Sequence, residues 1–88
     1  MSSEIVTRMR KYIVPKGAQI WLLSSNYMPF DVFFTERKMV FDESDIQRKR
    51  KMPRSTGGGA HIVFKLPPND RGYNWIEVRD QNIIVVEE

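Results

Sequence analysis

The residues of this 88-residue chain that could do chemistry are few, and most fail on spacing. There is one histidine, His61, and no cysteine, so a thiolate zinc site and a disulfide are both excluded. A lone histidine on the strand face opposite Ile62 and Phe64 reads as an exposed or half-buried structural residue. The run Asp42-Glu43-Ser44-Asp45 offers carboxylates to a hard cation. It lacks the glycine and the terminal glutamate spacing of an EF-hand loop, so a solvated helix start is the expected role. No metal and no cofactor are therefore expected.

Nucleophilic catalysis would need Ser55 or Thr56 with His61 as the base. Both sit beside a glycine run that gives a nucleophile no rigid support. Gly57-Gly58-Gly59 lacks the Lys-Ser/Thr of a phosphate loop and precedes its strand instead of following one. The expectation is a protein that is not an enzyme.

One feature rises above this background. Arg48, Lys49, Arg50, Lys51 and Arg54 place five cations in seven positions, leading into Ser55-Thr56-Gly57-Gly58-Gly59. Residues 47–59 are expected to form a basic, glycine-rich flexible loop. Such a loop neutralises phosphates, because each contact releases counterions and demands no fixed geometry. Arg8 and Arg10 belong to a second basic block that would extend the first if the fold brought them together. Stacking on bases needs exposed aromatics beside positive charge. Tyr27 and Tyr73, both beside turn residues, and Trp75, on a strand face shared with Glu77, are the candidates.

The expected function is a non-enzymatic binding module that contacts nucleic acid or another polyanion. The alternative is a protein-interaction or assembly subunit, a homo-oligomer included, whose basic loop docks on an acidic partner surface. The net charge of +3 is modest for a dedicated nucleic-acid binder, which keeps the alternative open. Met1-Ser2-Ser3-Glu4 lacks the basic start of a secretory signal, and apolar runs such as Ile83–Val86 are four residues long. A membrane-spanning helix needs about 20, so a cytoplasmic protein with no membrane contact is expected.

The elements that must position these residues read mainly as strands. Ala60, Ile62, Phe64 and Leu66 alternate with His61, Val63 and Lys65, the period of a half-buried strand. Tyr73–Arg79 and Asn82–Val86 follow, and the short Asp80-Gln81 link predicts that they pair antiparallel. Pro15 and Gly17 predict a turn that joins Tyr12–Val14 to Ala18–Leu23 as a hairpin. Residues 5–14 also fit a helix. Val32–Thr35 and Met39–Phe41 favour a second hairpin, although residues 31–41 also have helical spacing. Asp42–Pro53 runs from acids to bases, the order a short helix prefers, with Ser44 as its cap.

The fold expected is mainly β, with α+β possible: one small domain over residues 1–88, an antiparallel barrel or sandwich. It would be SH3-like or OB-like in size, with at most one or two short helices. Ile20, Leu22, Ile62, Phe64, Ile76, Val78, Ile84 and Val86 should form the core. The sequence carries no family motif.

Overall fold

The computed structural model describes residues 10–26, 29–54 and 58–87. Among the described residues eight strands make two antiparallel sheets, and the sheets do not close into a barrel. The strands are β1 (Arg10–Val14), β2 (Gln19–Leu23), β3 (Pro29–Phe34), β4 (Met39–Asp42), β5 (Ile46–Met52), β6 (Gly59–Lys65), β7 (Trp75–Arg79) and β8 (Ile84–Glu87). The smaller sheet has the order β4-β1-β8, and the larger has β3-β2-β7-β6-β5. Single 3-10 turns at Glu43–Asp45 and Asp80–Asn82 interrupt the strands.

The core lies between the layers. Tyr12, Val14 and Phe41 from the small sheet meet Ile20, Ile62, Phe64, Ile76 and Val78 from the large one. The rings of Phe41 and Phe64 stack with centroids 4.4 Å apart, and Tyr12 tilts against Phe64 at 5.9 Å. These contacts join the sheets and bury the apolar side of each pleat.

Consecutive strands often belong to different sheets, which overturns three of the expected pairings. β1 and β2 do not form a hairpin, because β1 pairs with β4 and β8 while β2 pairs with β3 and β7. The Pro15–Gly17 turn carries the chain across the core instead. It spans Pro15–Ala18, one residue later than the Val14–Gly17 turn that Pro15 and Gly17 suggest, with the Ala18 N–H donating to the Pro15 carbonyl at 3.3 Å and Gly17 at φ +83°. That φ favours glycine at the third turn position. Likewise β3 and β4 are strands but not partners.

β7 and β8 are also not neighbours. The Asp80–Asn82 turn sends the chain to the other sheet, where β8 pairs with β1. Ile84 and Val86, expected in the core, are 54% and 39% exposed for this reason. The other six expected core residues are buried, or half-buried in the case of Leu22.

Thr35 holds the crossing at residues 15–18. Its hydroxyl donates to the Pro15 carbonyl at 2.7 Å and accepts from the Ala18 N–H at 3.1 Å. Its own N–H donates to the Ala18 carbonyl, and its carbonyl accepts from the Gly17 N–H. The buried backbone of a turn that leaves both sheets needs such partners.

The acid-to-base stretch after Met39 is not one helix. Only Glu43–Asp45 turn, with the Asp42 N–H donating to the Asp45 carboxylate at 2.9 Å, so Asp42 and not Ser44 heads the turn. The remainder is β5.

Candidate nucleic-acid interface

The basic run is a strand and not a loop. β5 pairs antiparallel with β6, with Lys49 opposite Ile62, Arg50 opposite His61 and Lys51 opposite Ala60. Ile46 packs against the core and anchors the start of the strand. The register shifts between Ile46 and Arg48, so Gln47 is the extra residue of a bulge. The expected loop of residues 47–59 shrinks to the link between β5 and β6, part of which, residues 55–57, lies outside the described residues.

β5 is the edge of the five-stranded sheet. The pleat sends Arg48 and Arg50 to the outer face and Lys49 and Lys51 to the core-facing side. Lys49 and Lys51 are nevertheless exposed. Arg48 and Arg54 are exposed as well. Alternate cations stand about 6.8 Å apart along each side of the strand, from a rise of about 3.4 Å per residue.

Arg50 behaves differently. It turns onto the sheet and forms an ion pair with Glu77 of β7. Glu77 is 2% exposed and also meets His61, whose Nδ1 lies 2.5 Å from the second carboxylate oxygen. The His61 Nε2 lies 3.1 Å from the Gly58 carbonyl. A carbonyl only accepts, so at this contact the ring nitrogen donates. The His61 ring stacks on Trp21 at 5.1 Å. His61 is thus fully buried and partnered, contrary to the exposed or half-buried residue expected. Among the described residues the buried Arg50 Nε has no hydrogen-bond partner, and the Glu77 carboxylate is what holds this cation.

The expectation that Glu77 marks an exposed face also fails. Trp75 is half-buried and packs against Trp21, Leu23 and Val63. It is therefore part of a second apolar cluster on the outer face of the large sheet. Tyr73 is half-buried in the loop before β7, where its backbone N–H and carbonyl both bond the Asn69 side chain. Tyr27 and Arg8 lie outside the described residues.

Arg10, the described residue of the second basic block, does not join the first. Arg10 sits on β1 of the small sheet, where it pairs with Glu87 at 2.9 Å. A hydrogen bond with Tyr12, and then the Glu87 charge, hold its guanidinium more firmly protonated than usual. Lys11 pairs with Asp42. These cations are committed to cross-strand ion pairs.

The Arg50–Glu77–His61 group is what sequence reasoning missed. Strand alternation placed His61 and Glu77 on outer faces, but only the β6–β7 register sets them diagonally adjacent. Among the described residues no group of three or more His, Asp or Glu is placed to hold a metal, and no helix is long and apolar enough to cross a membrane. Comparison with protein-family models, curated proteins and solved structures finds no match to this chain.

Proposed function

We propose that this protein is a non-enzymatic module that binds nucleic acid or another polyanion along β5. The observation that carries the reading is the alignment of exposed Arg48, Lys49 and Lys51 on one open sheet edge, with Arg54 just beyond it. Held on a strand, these cations form a ridge that presents charge on both sides. A phosphate backbone lying along the ridge would meet several of them at once. Arg50 acts from within, by neutralising the buried Glu77 that would otherwise weaken the positive potential of the edge. We place this activity in the cytoplasm, a reducing compartment with which a cysteine-free chain is compatible.

A second reading rests on the same edge. On this reading an extended acidic segment of a partner protein adds alongside β5, the edge strand, with the cations setting its charge preference.

The test is a titration of random-sequence single-stranded DNA, duplex DNA and RNA at two salt concentrations. Wild type is compared with a variant in which Arg48, Lys49, Lys51 and Arg54 are all alanine and Arg50 is kept. Each true phosphate contact contributes roughly 0.7–0.9 to the salt slope, so the variant should lose about three units of slope and bind all sequences more weakly. Absence of wild-type binding at low salt, or equal binding by the variant, removes the nucleic-acid reading and leaves the acidic-partner one.

A further inference from the structure

β6 and β7 do not end together. Their last pair is His61 with Arg79, yet β6 begins two residues earlier, at Gly59. After Arg79 the chain turns through Asp80–Asn82 and leaves for the other sheet. The backbone of Gly59 and Ala60 therefore runs past the end of its neighbour. A notch of about 170 Å³ opens there, lined by Gly58, Gly59, Ala60, Arg79, Asp80 and Gln81. Pockets for drug-sized ligands and cofactors hold roughly 300–1,000 Å³, so this one suits a single small group.

The lining favours an anion. Arg79 is half-buried, and among the described residues it takes part in no ion pair. Glu77, two residues along the same strand face, is already held by Arg50 and His61. A guanidinium taken partly out of water without a counterion is costly, and a bound anion relieves that cost. On the other flank Arg54 is exposed, with its Cα 3.7 Å from where a Cβ on Gly58 would stand. Arg54 follows β5, which lies two strand spacings from β7, or about 9.6 Å, so the two arginines bracket the glycines. Gly58 and Gly59 have φ of +63° and +75°, and nothing lies within 4 Å of a Cβ built on Gly59. Backbone bare of side chains lets a ligand oxygen come close to main-chain amides.

We propose that this notch seats one phosphate group, held by Arg79 together with Arg54 and the Gly58–Ala60 backbone. The planar fork of arginine matches phosphate through two parallel N–H···O bonds. Arg54 also stands at the end of the β5 ridge, so the notch is the next contact for a nucleic acid lying along that strand. In this the inference rests on the polyanion reading, and it adds a fixed point to a track of mobile contacts. The group is either the terminal monoester of a nucleic acid or a diester within it. Asp80 lines the same notch, and its exposed carboxylate opposes the bound charge. A lone phosphate ion is therefore held weakly, with a dissociation constant on the order of 1 mM.

The test is a titration of the full chain with inorganic phosphate, and with chloride at matched ionic strength, followed by amide chemical shifts. Signals of Gly58, Gly59, Ala60 and the Arg79 Nε–H should shift and saturate with phosphate alone. Arg79→Gln should abolish the saturable response. Arg79→Lys keeps the charge, loses the fork and should weaken binding at least about threefold. Asp80→Asn removes the opposing charge and should tighten binding by a similar factor. Thermal melts check that each variant is folded, and if Arg79→Gln is not, Arg79→Lys and Asp80→Asn decide. A variant with Arg48, Lys49 and Lys51 all alanine should keep the phosphate response while losing affinity for random-sequence DNA, so failure of the ridge and failure of the notch are read separately. Tighter binding of a 5′-phosphorylated oligonucleotide than of its 5′-hydroxyl twin assigns the seat to a terminal monoester. Equal binding of the two, both weakened by the Arg79 variants, assigns it to an internal diester. Shifts no larger than with chloride, or a response that the Arg79 and Asp80 variants leave unchanged, overturn the proposal.

Discussion

The Nδ1 of His61 lies 2.5 Å from a carboxylate oxygen of Glu77, and both side chains are buried on the outer face of the larger sheet. Arg50 reaches the other oxygen of the same carboxylate. A single buried anion thus ties together three neighbouring strands, β5, β6 and β7, at their side chains as well as through their backbones.

Glu77→Ala should therefore be strongly destabilising. It strands the partly buried Arg50 guanidinium and leaves His61 without its acceptor, a loss of about 3 kcal/mol or more. A urea titration gives the number. The double variant Arg50→Ala/Glu77→Ala should be less unstable than the sum of the singles, because the second change removes a charge already orphaned. Additive effects would show that the pair does not interact.

Neighbours within the basic run should separate cleanly. Arg50→Ala leaves the buried Glu77 without its guanidinium partner and should lower stability by about 1–3 kcal/mol. Lys51→Ala, at an exposed site, should change stability by less than about 0.5 kcal/mol. Polyanion affinity should fall for Lys51→Ala. Thermal melts alongside binding titrations read both effects, and matching stability losses would contradict the placement of Arg50.

Thr35→Val keeps the shape of the side chain and removes its hydroxyl. The Pro15 carbonyl and the Ala18 N–H then lose their partner at the crossing between sheets. A loss of about 1–3 kcal/mol is expected, the cost of unsatisfied buried polar groups. Amide exchange at Ala18 should accelerate in parallel, and unchanged protection there would mean the hydroxyl does not hold the turn.

Tyr12 should ionise later than an ordinary tyrosine, whose value is 10.0. Burial opposes its phenolate first, and its hydrogen bond to Glu43 opposes it further. The folded protein then holds this proton after the unfolded chain has released it. Above about pH 10 the unfolded state binds fewer protons, so stability falls as pH rises. Tyr12→Phe should flatten that alkaline decline relative to wild type, and the absorbance of tyrosinate follows the titration directly. An equal decline in both proteins would show that Tyr12 is not its source.

Strand identity was legible in the residues themselves. Ile62 and Phe64 alternate with His61 and Val63, the period that sends successive side chains to opposite faces of a strand, although both faces are buried here. Six of eight core residues follow from such alternation, because it fixes which side chains share a face. Alternation is silent about which strand lies next to which. Val14-Pro15-Lys16-Gly17 and Asp80-Gln81 look like hairpin turns, yet each carries the chain between sheets, and nothing local distinguishes the two outcomes.

The same limit governs the functional residues. Composition revealed a dense run of cations from Arg48 to Arg54, and a run of that charge read as a loop because it contains no apolar face. It pairs with β6 across the short link that follows it, and the backbone hydrogen bonds of a partner strand override local preference. Tertiary structure alone decided that Arg50 turns inward to Glu77 while Lys49 and Lys51 stay at the surface. It likewise decided that the apolar Ile84–Val86 strand lies at an edge and not in the core. Sequence determines the period of each strand, which is a local property of the pleat. Register and sheet order depend on contacts between residues distant in the chain, and only the folded core selects among them.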